Sequence, residues 1–108
     1  MSENRILSLL GIAAKAGKLA SGEFAAEQAL KARKAWLVIV AEDASVNTKK
    51  KFRDRCEHIS CPLLVIGTKQ TLARAIGKDE RSCIAVLDQG LAAAISRTAE
   101  TITDKQGE

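Results

Sequence analysis

Three short apolar runs, each rich in aliphatic residues, most strongly limit the folds open to this chain. They are Trp36–Ala41, Leu63–Ile66 and Cys83–Leu87. Apolar runs of this length without polar alternation are typical of strands that other elements cover on both faces. Pro62 precedes the second run, where it removes a backbone donor that the strand does not yet need. We therefore predict a buried sheet with Trp36–Ala41 as a parallel central strand.

Helical patterns lie between these runs. The segment Ile6–Ala16 carries apolar residues at spacings of three and four, which indicates one buried helical face, and Gly17 is expected to end this helix. A short strand is predicted at Leu19–Ser21, and a second helix is predicted to begin at Gly22. Its packing face contains two alanines, whose small side chains allow close contact with a sheet. The face consists of Ala26, Ala29 and Leu30.

Three further helices are predicted from N-cap residues followed by a helical apolar pattern. Ser45, Thr68 and Asp88 each supply a side-chain oxygen that can accept from the first amides of a helix. Gly77 is expected to end the helix that follows Thr68. The predicted buried faces are Phe52, Cys56 and Ile59 on the third helix, Leu72, Ala73 and Ile76 on the fourth, and Leu91, Ile95, Ala99 and Ile102 on the last.

The alternation of helices and strands predicts an α/β fold, namely a three-layer α/β/α sandwich around a small mixed, largely parallel sheet. The 108 residues suffice for a single core. We assign residues 1–103 to one domain and residues 104–108 to a polar C-terminal tail that should fray.

Membrane and secreted classes have little support in the sequence. The longest apolar run, Trp36–Ala41, is far shorter than the about 20 residues that a bilayer crossing needs. The first residues, Met1–Arg5, lack the pattern of a secretory signal. We therefore expect a cytoplasmic protein without a membrane partner.

The three cysteines, Cys56, Cys61 and Cys83, cannot all pair within one chain, and reduced thiols are expected. His58 lies close enough to Cys56 and Cys61 to suggest zinc, but the set contains no CxxC pair and needs a fourth ligand. We expect no metal and no cofactor, and interpret Cys56 and Cys61 as two half-buried thiols at a helix end.

Candidate catalytic residues are sparse. The only histidine, His58, is two positions from Cys56, so their side chains would leave a helix on different faces. Glu42 and Asp43 follow the central strand, where α/β sheets often bind ligands, but adjacent side chains diverge. The segment Gly67–Lys69 lacks the upstream glycines of a phosphate-binding loop. An enzyme that uses Glu42 and Asp43 is an alternative, and a protein without catalytic activity is expected.

Positive charge is concentrated in the first half of the chain. Residues 1–55 carry 11 Lys and Arg against 6 Asp and Glu, whereas residues 56–108 carry 6 against 7. This asymmetry favours a polyanionic partner, although a solvated surface can also produce it. One group of cations lies on the third helix, and another brackets the second helix. They are Lys49, Lys50, Lys51, Arg53 and Arg55, and Lys15, Lys18, Lys31, Arg33 and Lys34.

Aromatic residues are nearly absent, since Phe24, Trp36 and Phe52 are the only ones in the sequence. A protein that binds single strands by stacking successive bases needs more of them. Recognition of an RNA shape by a helix start, with backbone amides and nearby cations, fits this composition better.

Three segments resemble the kink-turn-binding ribosomal protein family, of the archaeal L7Ae type, and most closely its bacterial YlxQ-type branch. They are Leu19–Glu23, Ala35–Lys51 and Gly67–Lys78, and the likeness extends from about Ile6 to Leu91. The specific motifs are Ala-Glu-Asp-Ala-Ser followed by Asn-Thr-Lys-Lys, and Lys-Gln-Thr-Leu followed by Ile-Gly-Lys.

The resemblance implies a monomeric α/β/α module that binds a sharply bent RNA duplex. The duplex would contact the second-helix start at Gly22 and the loop Lys78–Arg81 before the last strand. Lys69 matches a family position that contacts the RNA backbone. Ser45 stands where some members use a glutamate to hold a flipped-out base.

The base-reading motif of the family is incomplete in this chain. In well-studied members the glycine is followed by threonine or alanine, then Asn-Glu, and a lysine three positions after that glutamate. Here the glycine is followed by Glu23, Phe24 and Ala25, with Gln28 at the lysine position. A shift of one residue would bring Glu23 into the reading role, although its side chain would then leave from a different face of the helix. The resemblance therefore predicts RNA binding with relaxed base specificity.

We accordingly predict a non-enzymatic protein that binds structured, kink-turn-like RNA and is ribosome-associated or regulatory. The expected partners are RNA, with ribosomal RNA as a candidate, and ribosomal or assembly proteins. The alternative is a protein-interaction or ribosome-assembly module that has lost base-specific readout, suggested by Phe24. The predicted RNA-binding residues are Lys18, Gly22, Glu23, Gln28, Lys31, Lys69, Lys78 and Arg81.

Overall fold

The computed structural model describes the backbone of residues 2–107 and the side chains of residues 3–100. Five helices and four strands are present in this range. The helices are α1 (Ser2–Lys15), α2 (Glu23–Lys31), α3 (Val46–Ile59), α4 (Lys69–Ile76) and α5 (Gln89–Gly107). The strands are β1 (Leu19–Ser21), β2 (Leu37–Val40), β3 (Leu63–Val65) and β4 (Cys83–Val86).

The strands form one mixed sheet in the order β1-β4-β2-β3. Strands β2 and β3 are parallel, whereas β4 is antiparallel to both of its neighbours, β1 and β2. The predicted α/β class and mixed sheet are confirmed, but the expectation of a largely parallel sheet is wrong. A continuous apolar run indicates that both faces of a strand are covered, and it carries no information on strand direction.

Burial separates the central strands from the edge. Every residue of β2 and β4 is buried, as their apolar runs predicted. Strand β3 has β2 as its only neighbour in the sheet, and the side chain of Val65 is 41% exposed. The prediction that Leu63–Ile66 is a fully buried strand is therefore wrong, because an edge position leaves its outer side open to solvent.

The helices cover the sheet in two groups. Helices α2 and α3 contact each other and the central strands, while α1 contacts α4 and α5. Together with the sheet they form the predicted α/β/α sandwich. The core between them includes Ile6, Leu10, Leu30, Phe52, Leu72 and Ile95. Among the described helices, none has the length and apolar content required to cross a bilayer.

Most helix ends lie where the sequence predicted them. Ser45, Thr68 and Asp88 cap α3, α4 and α5, each by accepting from a backbone N–H. Gly17 and Gly77 follow α1 and α4 with positive φ angles of 70° and 71°. Helix α5 continues to Gly107, past the predicted end of the domain at residue 103. The side chain of Ile102 lies outside the described residues.

The strand directions give the sheet two ends. At the end we call proximal, β1, β2 and β3 finish and β4 begins, so that Ser21 pairs with Ile84 and Val40 pairs with Cys83. At the distal end, Val86 of β4 pairs with both Leu19 and Leu37.

Candidate nucleic-acid interface

Helix α2 begins at the proximal end without a side-chain cap. Gly22, its N-cap residue, has φ 95° and ψ 159°, a backbone conformation that is almost exclusive to glycine. The Gly22 N–H donates to the carbonyl of Cys83 at 2.8 Å, and the Gly22 carbonyl accepts from Ala26. The amides of residues 23–25 therefore have no acceptor within the helix. Together with the positive end of the helix dipole, they form a surface suited to an anion.

Arg81 joins the loop before β4 to the start of α2. Its Nε donates to Ser21 Oγ at 3.3 Å, and its Nη1 donates to the carbonyls of Asp79 and Glu80 at 3.1 and 2.9 Å. A Cβ atom added at Gly22 would lie 3.9 Å from Arg81 Cδ. The structure thus brings the two elements predicted to contact RNA together, with Arg81 holding the loop against the end of β1.

Lys69, the first residue of α4, links this loop to the end of β2. Its backbone N–H donates to Asp43 Oδ1 at 2.9 Å, and its carbonyl accepts from the Arg81 N–H at 3.2 Å. The Asp43 carboxylate therefore caps the first turn of α4, and Glu42 beside it is exposed. This is a structural role for a residue that the sequence offered as a candidate catalytic carboxylate.

Glu23 is held against α3 through both of its carboxylate oxygens. Oε2 accepts from the Thr48 hydroxyl at 3.2 Å, and Oε1 lies 3.1 Å from Lys51 Nζ. Thr48 Oγ1 in turn accepts from Ser45 Oγ at 2.9 Å. The hydrogen bond to Glu23 is the main cause of a raised pKa of the Lys51 ammonium. Ser45 and Glu23 thus fix the starts of α3 and α2 relative to each other.

The cationic face of α3 is partly compensated by α2. Lys51 Nζ also lies 3.5 Å from Glu27 Oε1, and Arg55 Nη2 lies 2.8 Å from Glu27 Oε2. Lys49, Lys50 and Arg53 have no ion pair among the residues that the structure describes. Only part of this predicted cation cluster is therefore available to an external anion.

One solvent-exposed stripe runs along α2 from its start. Phe24, Gln28 and Lys31 lie at positions i, i+4 and i+7, so they share a face of the helix, and all three are exposed. The side chain of Phe24 is 77% exposed. Ala25 is half-buried beside this stripe.

The other two predicted RNA-binding lysines lie at different places in the fold. Lys78 follows Gly77 beyond the last turn of α4, about 12 Å along that helix from Lys69. Lys18 lies at the distal end of the sheet, where its carbonyl accepts from the Leu87 N–H at 2.8 Å. The structure therefore does not bring Lys18 to the proximal surface.

Thr48 is the positioning residue that sequence reasoning did not single out. It is only 8% exposed, and its hydroxyl connects Ser45 to Glu23 across two helices. The available signal was the Ser45-x-x-Thr48 spacing, which places a hydroxyl at the third helical position after an N-cap. Its bond to Glu23 joins two segments far apart in sequence, which no local motif predicts.

The cysteines face the core rather than a metal site. Cys56 and Cys61 are 2% and 9% exposed, so they are more deeply buried than the half-buried thiols predicted, whereas His58 is exposed. Burial raises the pKa of the Cys83 thiol to about 12. A hydrogen bond with Cys61, together with burial, raises the pKa of Cys56. Within the described part of the chain, no group of three or more His, Cys, Asp or Glu side chains could hold a metal.

Comparison with known protein sequences gives one family model and two relatives that carry the same name. Residues 4–96 match the model of the ribosomal protein L7Ae/L30e/S12e/Gadd45 family. The RNA-binding protein YlxQ of Bacillus subtilis (strain 168) is 40% identical over 92 residues, covering 85% of this chain and 92% of that protein. The RNA-binding protein YlxQ of Enterococcus faecium is 34% identical over 91 residues, covering 84% and 87% of the two chains.

Solved structures share the fold. A protein of unknown function from Bacillus halodurans superposes with a TM-score of 0.85 at 41% identity, covering 88% of this chain and 96% of its own. The 15.5kD RNA binding protein of Giardia lamblia superposes with a TM-score of 0.81 at 24% identity, covering 93% of this chain and 88% of its own. The second likeness concerns the fold alone.

Proposed function

The chain belongs to the ribosomal protein L7Ae/L30e/S12e/Gadd45 family as a non-enzymatic RNA-binding member, and from this premise we propose that it binds RNA with a sharp, kink-turn-like bend. We further propose that it acts as a monomer in the cytoplasm, in association with the ribosome or in a regulatory complex. Ribosomal RNA and ribosomal or assembly proteins are its proposed partners.

The uncapped start of α2 beside Arg81 is the observation that carries this proposal. Three free amides, the positive end of the helix dipole and the Arg81 guanidinium converge at Gly22. Lys69, the first residue of α4, is connected to this corner because its carbonyl accepts from the Arg81 N–H. A bent duplex brings its phosphates close together, so an anion-binding corner of this kind matches its shape. The exposed stripe of Phe24, Gln28 and Lys31 would then extend along the adjacent groove.

Base readout should be weak at this surface. Ala25 cannot accept a hydrogen bond from a guanine, and both oxygens of Glu23 are already engaged by Thr48 and Lys51. Each missing bidentate contact removes about 1–3 kcal/mol of discrimination between bases. We therefore propose recognition by shape and charge, with little dependence on base identity at the bend.

A filter-binding titration tests the proposal. Kink-turn RNA and an unbent duplex of the same length and base composition are compared at moderate salt. We expect tighter binding of the kinked RNA, because the duplex cannot present converging phosphates to Gly22 and Arg81. Equal affinity for the two RNAs would contradict recognition of the bend.

A motif-restoring variant separates shape recognition from base readout. Phe24→Asn, Ala25→Glu and Gln28→Lys together recreate the base-reading pattern that the family resemblance implies. The variant should discriminate between a kink-turn and its base-substituted mutant by at least about tenfold more than the wild-type chain does. Unchanged discrimination would mean that α2 does not contact the bases.

A second candidate function is protein interaction at the same surface. Phe24 and Val46 are 77% and 80% exposed, and they lie on the first turns of α2 and α3, which Glu23 and Thr48 bind together. Two exposed apolar side chains at adjoining helix starts are suited to a protein contact. A stoichiometric protein partner that stays bound after nuclease treatment, and dissociates with Phe24→Ser, would favour this function.

A further inference from the structure

A second basic surface lies at the distal end of the sheet, away from Gly22. We call it the distal rim and define it by Lys15, Lys18, Arg33, Lys34 and Trp36. Each of these side chains is exposed. The rim contains cations from the end of α1, the start of β1 and the connection between α2 and β2, which are separate segments of the chain.

Strand pairing places these segments side by side. Val86 pairs with Leu19 on one side and with Leu37 on the other. At about 4.8 Å between strands, Leu19 and Leu37 are about 10 Å apart across the sheet. Lys18 and Trp36 directly precede these two residues, so both lie at the distal end of the sheet.

The neighbouring turns bring the other cations to the distal end. The N–H of Lys18 donates to the Ala13 carbonyl at 2.9 Å, which closes the turn after Lys15. The Lys34 N–H donates to the Ala29 carbonyl at 2.9 Å, which closes the turn after α2. Arg33 lies within this turn with a positive φ of 56°.

The charge of the distal rim is not compensated within the molecule. Three ion pairs join α2 to α3, and their cations are Lys51 and Arg55, which lie outside the rim. No rim cation pairs with a carboxylate in the described part of the chain. Asp88 is the nearest acidic residue along β4, and its carboxylate caps α5 through the Leu91 N–H at 2.8 Å. The rim therefore presents four free cations to solvent.

Trp36 adds a flat aromatic surface to these charges. Its backbone N–H donates to the Val86 carbonyl at 2.8 Å, so the residue is anchored in the sheet, while its side chain is 48% exposed. The exposed indole leaves an aromatic face available to a partner. Beside four cations, one aromatic face suits a nucleotide, whose base stacks while its phosphates contact lysine and arginine.

We infer that the distal rim is a second RNA contact, which binds a single-stranded segment by stacking one base on Trp36 and neutralising its phosphates with Lys15, Lys18, Arg33 and Lys34. This inference rests on the RNA-binding character of the family and is independent of kink recognition at Gly22. A single aromatic residue accommodates one base, so sequence preference at the rim should be low. Since the longest dimension of the molecule is 34 Å, one protein could hold two segments of a folded RNA close together.

The fluorescence of Trp36 tests the inference directly, because it is the only tryptophan in the sequence. A uridine decamer, which has little structure of its own, is titrated into the full-length protein. Stacking should quench the emission of Trp36 in a saturable manner. A blunt-ended kink-turn RNA should bind at the proximal end without this quenching. Absence of quenching by the decamer would overturn the inference.

Charge variants show whether the rim supplies the phosphate contacts. Lys18→Gln combined with Lys34→Gln should reduce the slope of log affinity against log salt by about 1.4 for the decamer, since each phosphate contact on a single strand contributes about 0.7. Lys50→Gln combined with Arg53→Gln removes the same charge from the exposed face of α3 and is the matched control. Equal slopes for the two double variants would contradict contact at the rim.

Aromatic variants separate stacking from charge. Binding of a labelled decamer should weaken about 5- to 150-fold in Trp36→Gln and far less in Trp36→Phe, which keeps an aromatic face. Both variants are first checked by thermal unfolding, and the intact-protein quenching experiment decides if either fails to fold. Similar affinity of the wild-type protein, Trp36→Gln and Trp36→Phe for the decamer would overturn the stacking contact.

Two controls identify the class of partner and separate the two proposals. If a glutamate decamer quenches Trp36 as well as the uridine decamer does, the rim is a site for acidic protein segments and the RNA inference fails. If the uridine decamer binds normally while kink-turn RNA binds no better than a straight duplex, the rim contact stands and the proposed kink recognition fails. If kink-turn RNA binds better than a straight duplex while the uridine decamer does not bind, the proposed kink recognition stands and the rim contact alone fails.

Discussion

The hydroxyl of Thr48 donates to Glu23 Oε2 at 3.2 Å and thereby joins the starts of α3 and α2. The relationship matters because Thr48 is buried and also accepts from Ser45, so its removal leaves polar atoms without partners at the junction of two helices. The geometry of the proposed RNA surface therefore depends on a residue that is nearly hidden from solvent.

Thr48→Val should destabilise the protein by about 1–3 kcal/mol, because the valine is similar in shape but leaves Glu23 and Ser45 without the shared hydroxyl. Urea unfolding measures the change. Thr98→Val is the matched control, since the Thr98 hydroxyl donates only to the Ala94 carbonyl of its own helix. We expect the control to change stability by less than about 0.5 kcal/mol. Equal losses in both variants would argue against a special role for Thr48.

Gly22→Ala should cost about 1–3 kcal/mol of stability through backbone strain, since φ 95° and ψ 159° fall in a region that is essentially closed to other residues. A steric clash does not explain the loss, because the nearest atom to an added Cβ is 3.9 Å away. Asparagine distinguishes this strain from that at Gly77, whose left-handed conformation asparagine tolerates. In thermal unfolding, Gly77→Asn should therefore lower the melting temperature less than Gly22→Asn does.

Lys69→Ala should weaken binding of kink-turn RNA and reduce the salt slope by about one unit, as expected for the loss of one phosphate contact. Lys78→Ala should have the same effect if the loop before β4 flanks the bend. Arg74→Ala is the control on the same helix, because five positions of α4 turn its side chain by about 140° from that of Lys69. An effect of Arg74→Ala equal to that of Lys69→Ala would indicate nonspecific attraction.

Stability should fall as pH rises above about 8.5, because the Cys83 thiol stays neutral in the folded protein but ionises in the unfolded chain. Burial raises the pKa of Cys83 to about 12 in the folded protein. The neutral thiol therefore contributes its full stabilisation below the pKa of about 8.5 in the unfolded chain, and this stabilisation is lost between about pH 8.5 and 12. Between pH 8 and pH 10 the wild type should lose about 2 kcal/mol more than Cys83→Ala. Urea unfolding at both pH values gives this difference, and parallel losses would contradict it.

Features set by neighbouring residues were predictable from sequence. Ser45, Thr68 and Asp88 cap their helices because each side chain reaches the amide three positions ahead. Gly17 and Gly77 end helices because glycine adopts a positive φ without strain. The predicted fold class followed from these local signals together with the apolar runs.

Features set by distant residues were not predictable in the same way. The antiparallel direction of β4 depends on how the chain crosses the sheet after α4, which its apolar pattern does not record. The bond between Thr48 and Glu23 joins segments that approach each other only in the fold. Similarly, Lys18 was predicted to contact RNA with the start of α2, whereas strand pairing places it at the distal end together with Lys15, Arg33 and Lys34.

The position of β4 also determines when this protein can fold during its synthesis. Strands β1 and β2 leave the ribosome early, yet both take β4 as their partner, and β4 is the last strand to be made. A nascent chain that stops before Cys83 has two apolar strands with unpaired edges and nothing to join them. Translation must therefore pass Cys83 before the first strand acquires its neighbour, and a stop before that residue would leave a product prone to aggregation rather than a shortened domain.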